Sequence, residues 1–351
     1  MPYAPHPKPV PVVKPSEFIF AASHLDHGHI NGQCEGLIEA GGELRYVYDT
    51  NPERLAAFCK KFPTARAVDS FDRILDNPEI KLVTSAGVPN ERGPIGCRVM
   101  EAGKDYFVDK APFTSLEQLE DARKVVAATD RIYAVNYCER IYSESAIFAG
   151  QLIEQGAIGR VLQVAGFGPH RLNAPSRPSW FFERAKYGGI LCDIGSHQAE
   201  QILFYTGATD ARVAHAAVAN YNSKDYPELE DFGEASLVLN NGASGYFRID
   251  WFTPTGLGNW GDGRVIILGT KGYIELRKAL DIGHDKEGEH LYLVDEQGQH
   301  HFAVKGKVGF PYFGQLILDC LNRTETAMPQ THTFKAAEIS LRCQAAAIRL
   351  E

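Results

Sequence analysis

The sequence has few cysteines for its length, and none of them are arranged as metal ligands. Seven cysteines are scattered over 351 residues, and no Cys-x-x-Cys pair occurs. Structural zinc sites need clustered ligands, and disulfide-stabilised proteins use an even, dense set of cysteines. The pattern therefore predicts reduced thiols in a cytoplasmic protein, and it predicts no metal site.

Long apolar segments and an excess of positive charge are also missing. No apolar run approaches the ~20 residues that a membrane-spanning helix needs, so no membrane association is expected. The formal net charge is −8, and an acidic surface repels a phosphate backbone, so nucleic acid is not an expected partner. Residues 1–16 are rich in proline without a hydrophobic core, which predicts an extended N-terminal arm rather than a signal peptide.

Strand and helix patterns alternate over residues 17–136. The predicted strands are Phe18–Ala22, Glu43–Tyr48, Lys81–Ala86, Tyr106–Val108 and Ile132–Asn136. Strands separated by helices of roughly 10–15 residues predict a parallel sheet with right-handed crossovers. Residues 17–136 are therefore expected to form an α/β domain of the Rossmann type.

The pattern changes after Asn136. Long β-rich segments follow, with hairpin turns at residues 240–242 and 297–298. Two helices lie before and between them, and two more close the chain. Residues 137–351 are therefore predicted to be an α+β domain with a large, mostly antiparallel sheet.

The first strand runs into a polar turn, FIFAASHLDHGHINGQ, at residues 18–33. A dinucleotide site needs free N–H groups at the following helix N-terminus and an acid at the end of the second strand. Asp49 supplies the acid at the expected interval of about 20 residues. Gly28 allows close approach, whereas His24 and Asp26 carry side chains where glycine would leave room. By itself the motif leaves open both a nucleotide site and a generic strand–helix turn, in which the histidines line a cleft or face solvent.

Further polar residues follow other strands. Pro89 and Asn90 come after one apolar strand, and Asp109 and Lys110 come directly after the next. Ligands of open α/β sheets bind at this edge. In the C-terminal part, Asp193 and His197 are four residues apart, a spacing that places both on one face of a helix. The alternative for this pair is a helix-capping Asp beside an unrelated surface His.

Four stretches resemble the Gfo/Idh/MocA-type oxidoreductases. They are YDTNPERLAAF, GVPNERGPIGCRVMEAGKDYFVDKAPF, GGILCDIGSHQAEQILFYTG and DWFTPTGLGNWGDGRVIILGTKGYIELR, and together with the first loop they cover residues 18–277. The last stretch resembles the sheet that builds the family's substrate pocket and subunit interface, so residues 137–351 are expected to bind substrate and mediate oligomerisation. Two departures stand out: the first loop lacks most of the family's glycines, and the family's Glu-Lys-Pro is replaced by Asp109-Lys110-Ala111-Pro112. The resemblance implies a nicotinamide cofactor, and the acid at Asp49 favours NAD over NADP, although Arg54 lies close enough to soften that preference.

The resemblance implies a set of site residues. The predicted cofactor-binding residues are His24, Leu25, Asp26, His27, Gly28, Asp49, Pro89, Asn90, Asp109 and Lys110. The predicted catalytic residues are Lys110, Asp193 and His197, and the predicted substrate-binding residues are Arg140, His170, Trp180, Asp193 and His197. His197 is expected to take the hydroxyl proton while Lys110 holds the reacting oxygen, and the two roles could be exchanged.

The predicted function is NAD(P)-dependent oxidation of a secondary ring hydroxyl of a neutral sugar, glycoside or cyclitol. The alternatives are a non-catalytic dinucleotide-binding regulator and a redox-cycling enzyme that cleaves glycosides. The second domain has too few helices to cover both faces of its sheet, where Val265, Ile267 and Tyr273 lie, so a homodimer or homotetramer is expected.

Overall fold

The computed structural model describes residues 3–350, which form two compact units. The first comprises Pro9–Asn136 and Pro311–Phe334. The second comprises Tyr137–Phe310, the residues up to Lys8 and those from Lys335 onward. Residues 311–334, assigned by sequence to the C-terminal part, thus belong to the first unit. Residues 3–18 contain no helix or strand. No helix of the described chain has the length and apolar character needed to cross a bilayer.

The structure describes two sheets, and their strands alternate with helices in the first part of the chain. In chain order the strands are β1 Ile19–Ser23, β2 Glu43–Tyr48, β3 Arg66–Ala67, β4 Ile80–Ser85, β5 Asp105–Asp109, β6 Tyr133–Asn136, β7 Val161–Pro169, β8 Ala211–Ala219, β9 Phe232–Leu239, β10 Ser244–Asp250, β11 Arg264–Gly269, β12 Tyr273–Arg277, β13 His290–Asp295, β14 Gly298–Ala303 and β15 Ile348–Arg349. The helices are α1 His29–Glu39, α2 Pro52–Lys61, α3 Asp72–Leu75, α4 Pro89–Glu101, α5 Leu116–Thr129, α6 Cys138–Ile141, α7 Glu144–Glu154, α8 Arg184–Tyr187, α9 Ile190–Asp193, α10 Gly195–Thr206, α11 Pro311–Asn322 and α12 Gln330–Ala346.

The first unit is built on a six-stranded sheet in the order β3-β2-β1-β4-β5-β6, and all neighbouring strands are parallel. Strands β1, β5 and β6 are buried along their whole length, as expected when helices cover both faces of a sheet. The chain order reverses between β1 and β4, and ligands of such sheets bind at the carboxyl ends of the strands at that point. The predicted Rossmann-like architecture is confirmed.

Helix α11 belongs to the first unit because it packs directly on α1. A Cβ atom at Gly36 would lie 2.5 Å from the ring of Phe313, so only glycine permits this close approach of the two helices. Arg323, which follows α11, forms an ion pair of 2.5 Å with the buried carboxylate of Asp105 at the start of β5. These contacts tie residues 311–334 to the first sheet.

The second unit is built on a nine-stranded sheet in the order β14-β13-β12-β11-β7-β10-β9-β8-β15. Strand β7 is parallel to β10, β15 is parallel to β8, and the other neighbours are antiparallel. Helix α10 lies against one face, where Gly245 of β10 leaves room for Ile202, whose side chain would be 2.7 Å from a Cβ there. The predicted α+β architecture is confirmed.

Candidate active site

The loop between β1 and α1 has a backbone fixed by its neighbours. His24 adopts a left-handed conformation with φ of 51°. Its N–H donates to the carbonyl of Tyr48, and its carbonyl accepts from the N–H of Ala86, both at 3.1 Å. The His24 ring packs edge-on against Tyr48 and Phe71, and burial lowers its pKa to about 4. The imidazole is therefore neutral at pH 7.

Asp49, directly after β2, binds the backbone of this loop. Its carboxylate is buried; Oδ2 accepts a hydrogen bond of 2.6 Å from the Leu25 N–H, and Oδ1 accepts one of 2.6 Å from the Asn51 N–H. The guanidinium of Arg54 lies 2.9 Å from Oδ1 of Asp49 and 2.9 Å from Oδ1 of Asp26. Burial raises the pKa of Asp26 while Arg54 opposes that rise. Three predicted cofactor residues are thus joined in one hydrogen-bonded unit around Arg54.

Asp109, the last residue of β5, accepts hydrogen bonds from two imidazoles of the same loop. The Nδ1 atoms of His27 and His29 lie 3.1 and 2.9 Å from its two oxygens, and Arg92 lies 3.3 Å away. Burial alone would disfavour the charged carboxylate, but His29, Arg92 and the hydrogen bond from His27 hold the pKa of Asp109 well below its usual range. Burial in turn lowers the pKa of His27 to about 4.

Lys110 follows β5 at the carboxyl edge of the sheet, and its side chain is buried. Arg92 of α4 holds the backbone that follows β4 and the backbone that follows β5. Its Nε donates to the carbonyl of Gly87 at 2.7 Å, and its Nη1 donates to the carbonyls of Lys110 and Ala111. The Lys110–Ala111 peptide bond is cis. Arg92 is a positioning residue that the sequence analysis missed; the available signal was an arginine early in a helix at the ligand-binding edge.

The carboxyl ends of β1 and β4 present polar groups suited to a ligand. Four buried side-chain atoms here have no hydrogen-bond partner within residues 3–350: Ser23 Oγ, His24 Nδ1, Thr84 Oγ1 and Asn90 Oδ1. Buried polar atoms are normally hydrogen-bonded, so orphans at this edge indicate a missing partner. A Cβ at Gly28 or Gly32 would meet nothing within 4 Å, and the first turn of α1 carries no acid. Both features suit an anionic group at the helix N-terminus, as does the position of Pro89 and Asn90 at the start of α4. The residues present fit a dinucleotide.

In the second unit, Asp193 and His197 lie on either side of a helix junction. Asp193 ends α9, and His197 is the third residue of α10, while Ile194 between them keeps helical angles of −68° and −36°. Both side chains are buried. The Nε2 atom of His197 lies 3.8 Å from Sγ of Cys138. Asp193 and His197 thus lie in two consecutive helices rather than in a single one.

A buried network of charged and polar side chains, centred on Glu139, lies close to His197. The sequence analysis missed most of it. Nζ of Lys278 lies 2.9 Å from a carboxylate oxygen of Glu139, which also accepts a 3.0 Å hydrogen bond from Gln198. Nε2 of His170 lies 3.9 Å from the other oxygen. Burial disfavours the charge on Glu139, but Lys278, His197 and His170 hold the pKa of this carboxyl below its usual value. Glu139 is adjacent in sequence to the predicted Arg140, whereas Lys278 is 139 residues away, so no local pattern could join them.

Two predicted substrate-binding residues are engaged within the second unit. Arg140 forms an ion pair of 2.6 Å with the buried Glu200, and its guanidinium lies 3.9 Å from the ring centre of Phe204. His170 contacts the Gly168 carbonyl through Nδ1 at 3.0 Å. Trp180 is buried, and its indole nitrogen has no hydrogen-bond partner in the described chain. The charge of Glu139 is thus close enough to His170 and His197 to interact with both, whereas Arg140 is paired with Glu200.

Comparison with known proteins matches both parts of the chain to one family. Residues 19–137 match the oxidoreductase family with an NAD-binding Rossmann fold, and residues 148–275 match the GFO/IDH/MocA C-terminal domain. A crystal structure of a protein from Erwinia carotovora atroseptica SCRI1043 is 46% identical, with a TM-score of 0.93, over 95% of this chain and 100% of that chain. The chain belongs to the Gfo/Idh/MocA family of oxidoreductases.

Two examples illustrate the curated relatives that are named for a reaction. Levoglucosan dehydrogenase from Pseudarthrobacter phenanthrenivorans is 26% identical over 48% of this chain and 43% of its own length. The NAD(+)-dependent scyllo-inositol 2-dehydrogenase of Bacillus subtilis is 27% identical over 57% of this chain and 56% of its own length. The chain therefore matches about half the length of these curated relatives.

Proposed function

We propose that the protein is an NAD-dependent dehydrogenase that oxidises a secondary ring hydroxyl of a neutral sugar, glycoside or cyclitol. Family membership supports the nicotinamide cofactor. The two curated relatives are named for levoglucosan and scyllo-inositol, which are neutral rings carrying several hydroxyls. This proposal covers the substrate class, the reaction and the residues that perform it.

The observation that carries the proposal is the buried network around His197. Ionised groups are costly to bury, and clusters of them with shifted pKa values are concentrated at functional sites. The anionic carboxylate of Glu139 stabilises positive charge on a neighbouring imidazole. That arrangement suits His197 as the group that accepts a proton when an alcohol is oxidised.

The cofactor is proposed to lie along the carboxyl ends of β1 and β4. Gly28 and the first turn of α1 would hold its pyrophosphate, and the orphan polar atoms of Ser23 and Asn90 are available to it. Once bound, NAD supplies the acceptor for the hydride that leaves the substrate carbon. Asp49 shapes the loop, because its oxygens accept from Leu25, Asn51 and Arg54, and its negative charge at the end of β2 disfavours the 2′-phosphate of NADP.

The roles of the chain's own residues follow from ordinary acid–base chemistry. His197 removes the hydroxyl proton, with Asp193 as its predicted helical neighbour. Lys110, positioned by Arg92, stabilises the negative charge that develops on the oxygen. In the alternative, Lys110 removes the proton and His197 stabilises the charge on the oxygen; the variants described below distinguish the two assignments.

A neutral polyhydroxylated ring suits the proposed pocket residues. His170 and His197 of the second unit offer hydrogen-bonding groups, and Trp180 offers a flat apolar face whose N–H has no hydrogen-bond partner within residues 3–350. A fatty alcohol would leave such groups unpaired at a cost of about 1–3 kcal/mol each. A dianionic sugar phosphate would require a denser cluster of cations.

The exposed face of the nine-stranded sheet supports the proposed self-association. Tyr273, Leu268 and Val238 belong to one row of paired residues across the sheet, and each is 42–44% exposed. Val265 and Ile267 are buried on the opposite face, because successive side chains of a strand alternate between faces. A homodimer that pairs these faces, or a tetramer built from it, would cover the row. The seven free cysteines support the proposed cytoplasmic setting.

The test is a substrate panel with NAD⁺, followed through absorbance of the reduced nicotinamide. The panel contains neutral pyranoses, glycosides and inositols, with sugar phosphates and fatty alcohols as matched controls. Reduction of NAD⁺ by a neutral ring and by none of the controls is the expected result. Turnover only with a phosphorylated sugar or a non-carbohydrate alcohol would contradict the proposed substrate class. A bound cofactor that no compound turns over would favour a regulator, and cleavage of a glycoside without net NADH would favour the redox-cycling enzyme.

A further inference from the structure

Three histidines converge at one end of the nine-stranded sheet, within the second unit. His284 lies in the connection between β12 and β13, His290 begins β13, and His301 lies on the neighbouring strand β14. One ring nitrogen from each lies within 4.8 Å of those of the other two. None of these residues belongs to the network around His197, and none was selected from the sequence.

The hydrogen bond to Asp285 fixes which nitrogen of His290 carries the proton. Nε2 of His290 lies 3.1 Å from Oδ1 of Asp285, and an ionised carboxylate can only accept. The proton is therefore on Nε2, and the lone pair of Nδ1 faces Nε2 of His301 at 3.0 Å. A carboxylate bonded to the outer nitrogen of an imidazole is the usual arrangement behind a metal-binding histidine.

The other members of the cluster are also held in place. The ring of His301 stacks on Tyr292 with centres 4.6 Å apart, and the Tyr292 hydroxyl donates to Asp281 at 2.7 Å. Asp285 is anchored by the Glu287 N–H at 2.7 Å. The side chain of His284 is 51% exposed, with Nε2 3.6 Å from Oδ2 of Asp285, so a small movement of this ring when a ligand enters disturbs little packing.

We propose that His284, His290 and His301 form a binding site for a divalent late first-row metal ion, for which zinc is the probe. Neutral imidazoles suit zinc, copper and nickel, whereas magnesium and calcium require oxygen ligands. Tetrahedral zinc with Zn–N distances of about 2.0–2.1 Å places its ligand atoms about 3.3 Å apart. The separation of 3.0 Å between His290 and His301 is close to that value, and a small movement of His284 completes the set. A water molecule takes the fourth position.

The bound ion would fasten a connecting segment to the sheet. Residues 278–289 link β12 to β13, and His284 is the member of the site that comes from this segment. A metal ion that binds His284, His290 and His301 together can do so only in the folded unit, so its binding favours the folded over the unfolded and partly opened chain. The expected role is therefore stabilisation of this end of the second unit.

The site is tested by zinc binding to the full-length protein, purified without a histidine tag and treated with a chelator. Zinc affinity is measured by competition with a chromophoric chelator, and the melting temperature is recorded with and without one equivalent of Zn²⁺. The His284→Ala variant removes an exposed ligand, and the Asp285→Asn variant removes the carboxylate that is hydrogen-bonded to the ligand His290. His300→Ala is the matched control, because His300 is the neighbour of His301 on the opposite face of β14 and contacts Asp295 instead.

The expected result is one zinc ion per chain and a higher melting temperature with zinc. His284→Ala should weaken zinc binding by more than tenfold, Asp285→Asn should weaken it by about 10–100-fold, and His300→Ala should leave it unchanged. A Co²⁺-loaded protein should show visible d–d absorption that His284→Ala abolishes. Equal zinc affinity in wild type and His284→Ala would overturn the proposal, because the zinc would then be bound elsewhere, for example by cysteine thiols. The absence of stoichiometric zinc binding to the folded wild type would overturn it as well.

Discussion

The buried carboxylate of Asp49 accepts a 2.6 Å hydrogen bond from the backbone N–H of Leu25. This bond joins the end of β2 to the loop that follows β1, where the family's glycines are mostly absent. The same carboxylate is paired with Arg54, which also pairs with Asp26. The loop is therefore shaped by side-chain contacts, and Arg54, which follows the second strand, is held between two acids.

Cofactor preference should depend on Asp49. The carboxylate repels the 2′-phosphate of NADP and occupies Arg54, so the wild type should favour NAD. Asp49→Ser should lower the ratio of kcat/KM for NAD to kcat/KM for NADP by about tenfold or more, since a difference of 1.4 kcal/mol already has that effect. Asp121→Ser, on the exposed side of α5, is the control. A wild type that prefers NADP would contradict the prediction, and so would an unchanged ratio in Asp49→Ser.

Proton transfer should depend on His197. His197→Ala should lower kcat about 10²–10⁴-fold, the usual contribution of a general acid or base, while NAD binding measured by fluorescence titration stays near the wild-type value. Asp193→Asn should lose less activity, because the imidazole remains. His215→Ala, at an exposed position on β8, is the control. Full activity of His197→Ala on the best substrate would assign the proton transfer to Lys110.

Acid stability should depend on His24. Burial lowers the pKa of His24 to about 4 in the folded protein, against about 6.5 in the unfolded chain. Between these two pKa values the unfolded chain binds more protons than the folded protein. The contribution of His24 to the free energy of unfolding is therefore complete above pH 6.5 and is lost as the pH falls towards 4. Denaturant unfolding should show that the loss of unfolding free energy between pH 6.5 and pH 4 is smaller in His24→Asn than in wild type by about 1–3 kcal/mol. Asparagine is chosen because it tolerates the left-handed backbone.

The exposed His215→Asn variant is the control for that experiment, and it should retain the wild-type slope of unfolding free energy against pH. If the slopes of His24→Asn and wild type coincide between pH 4 and 6.5, His24 does not titrate as its burial implies.

Self-association should depend on the exposed sheet row. Light scattering of the wild type at micromolar concentration should give two or four times the chain mass of 38.8 kDa. Leu268→Glu places a charge in the middle of the row and should yield the 38.8 kDa monomer. Leu116→Glu, which changes an exposed leucine of α5 in the first unit, should leave the assembly intact. A monomeric wild type would refute the assignment, and an unaffected assembly in Leu268→Glu would exclude this face.

The sequence alone determined the architecture because its signals are local. Apolar runs of five or six residues separated by helical patterns specify a parallel sheet, and β1, β5 and β6 are buried along their whole length as that pattern requires. Asp109, Lys110, Asp193 and His197 could also be selected, because each lies at a strand end or at helical spacing within a short motif. The family follows from the same motifs.

Only the tertiary structure decided which groups meet. The pairing of Lys278 with Glu139 joins residues 139 positions apart, and the packing of Phe313 on Gly36 brings residues 311–334 into the first unit. The cluster of His284, His290 and His301 likewise depends on the register of β13 with β14. Such contacts depend on sheet order and helix packing, which no spacing along the chain encodes, so the buried network and the proposed metal site became visible only once the chain was folded.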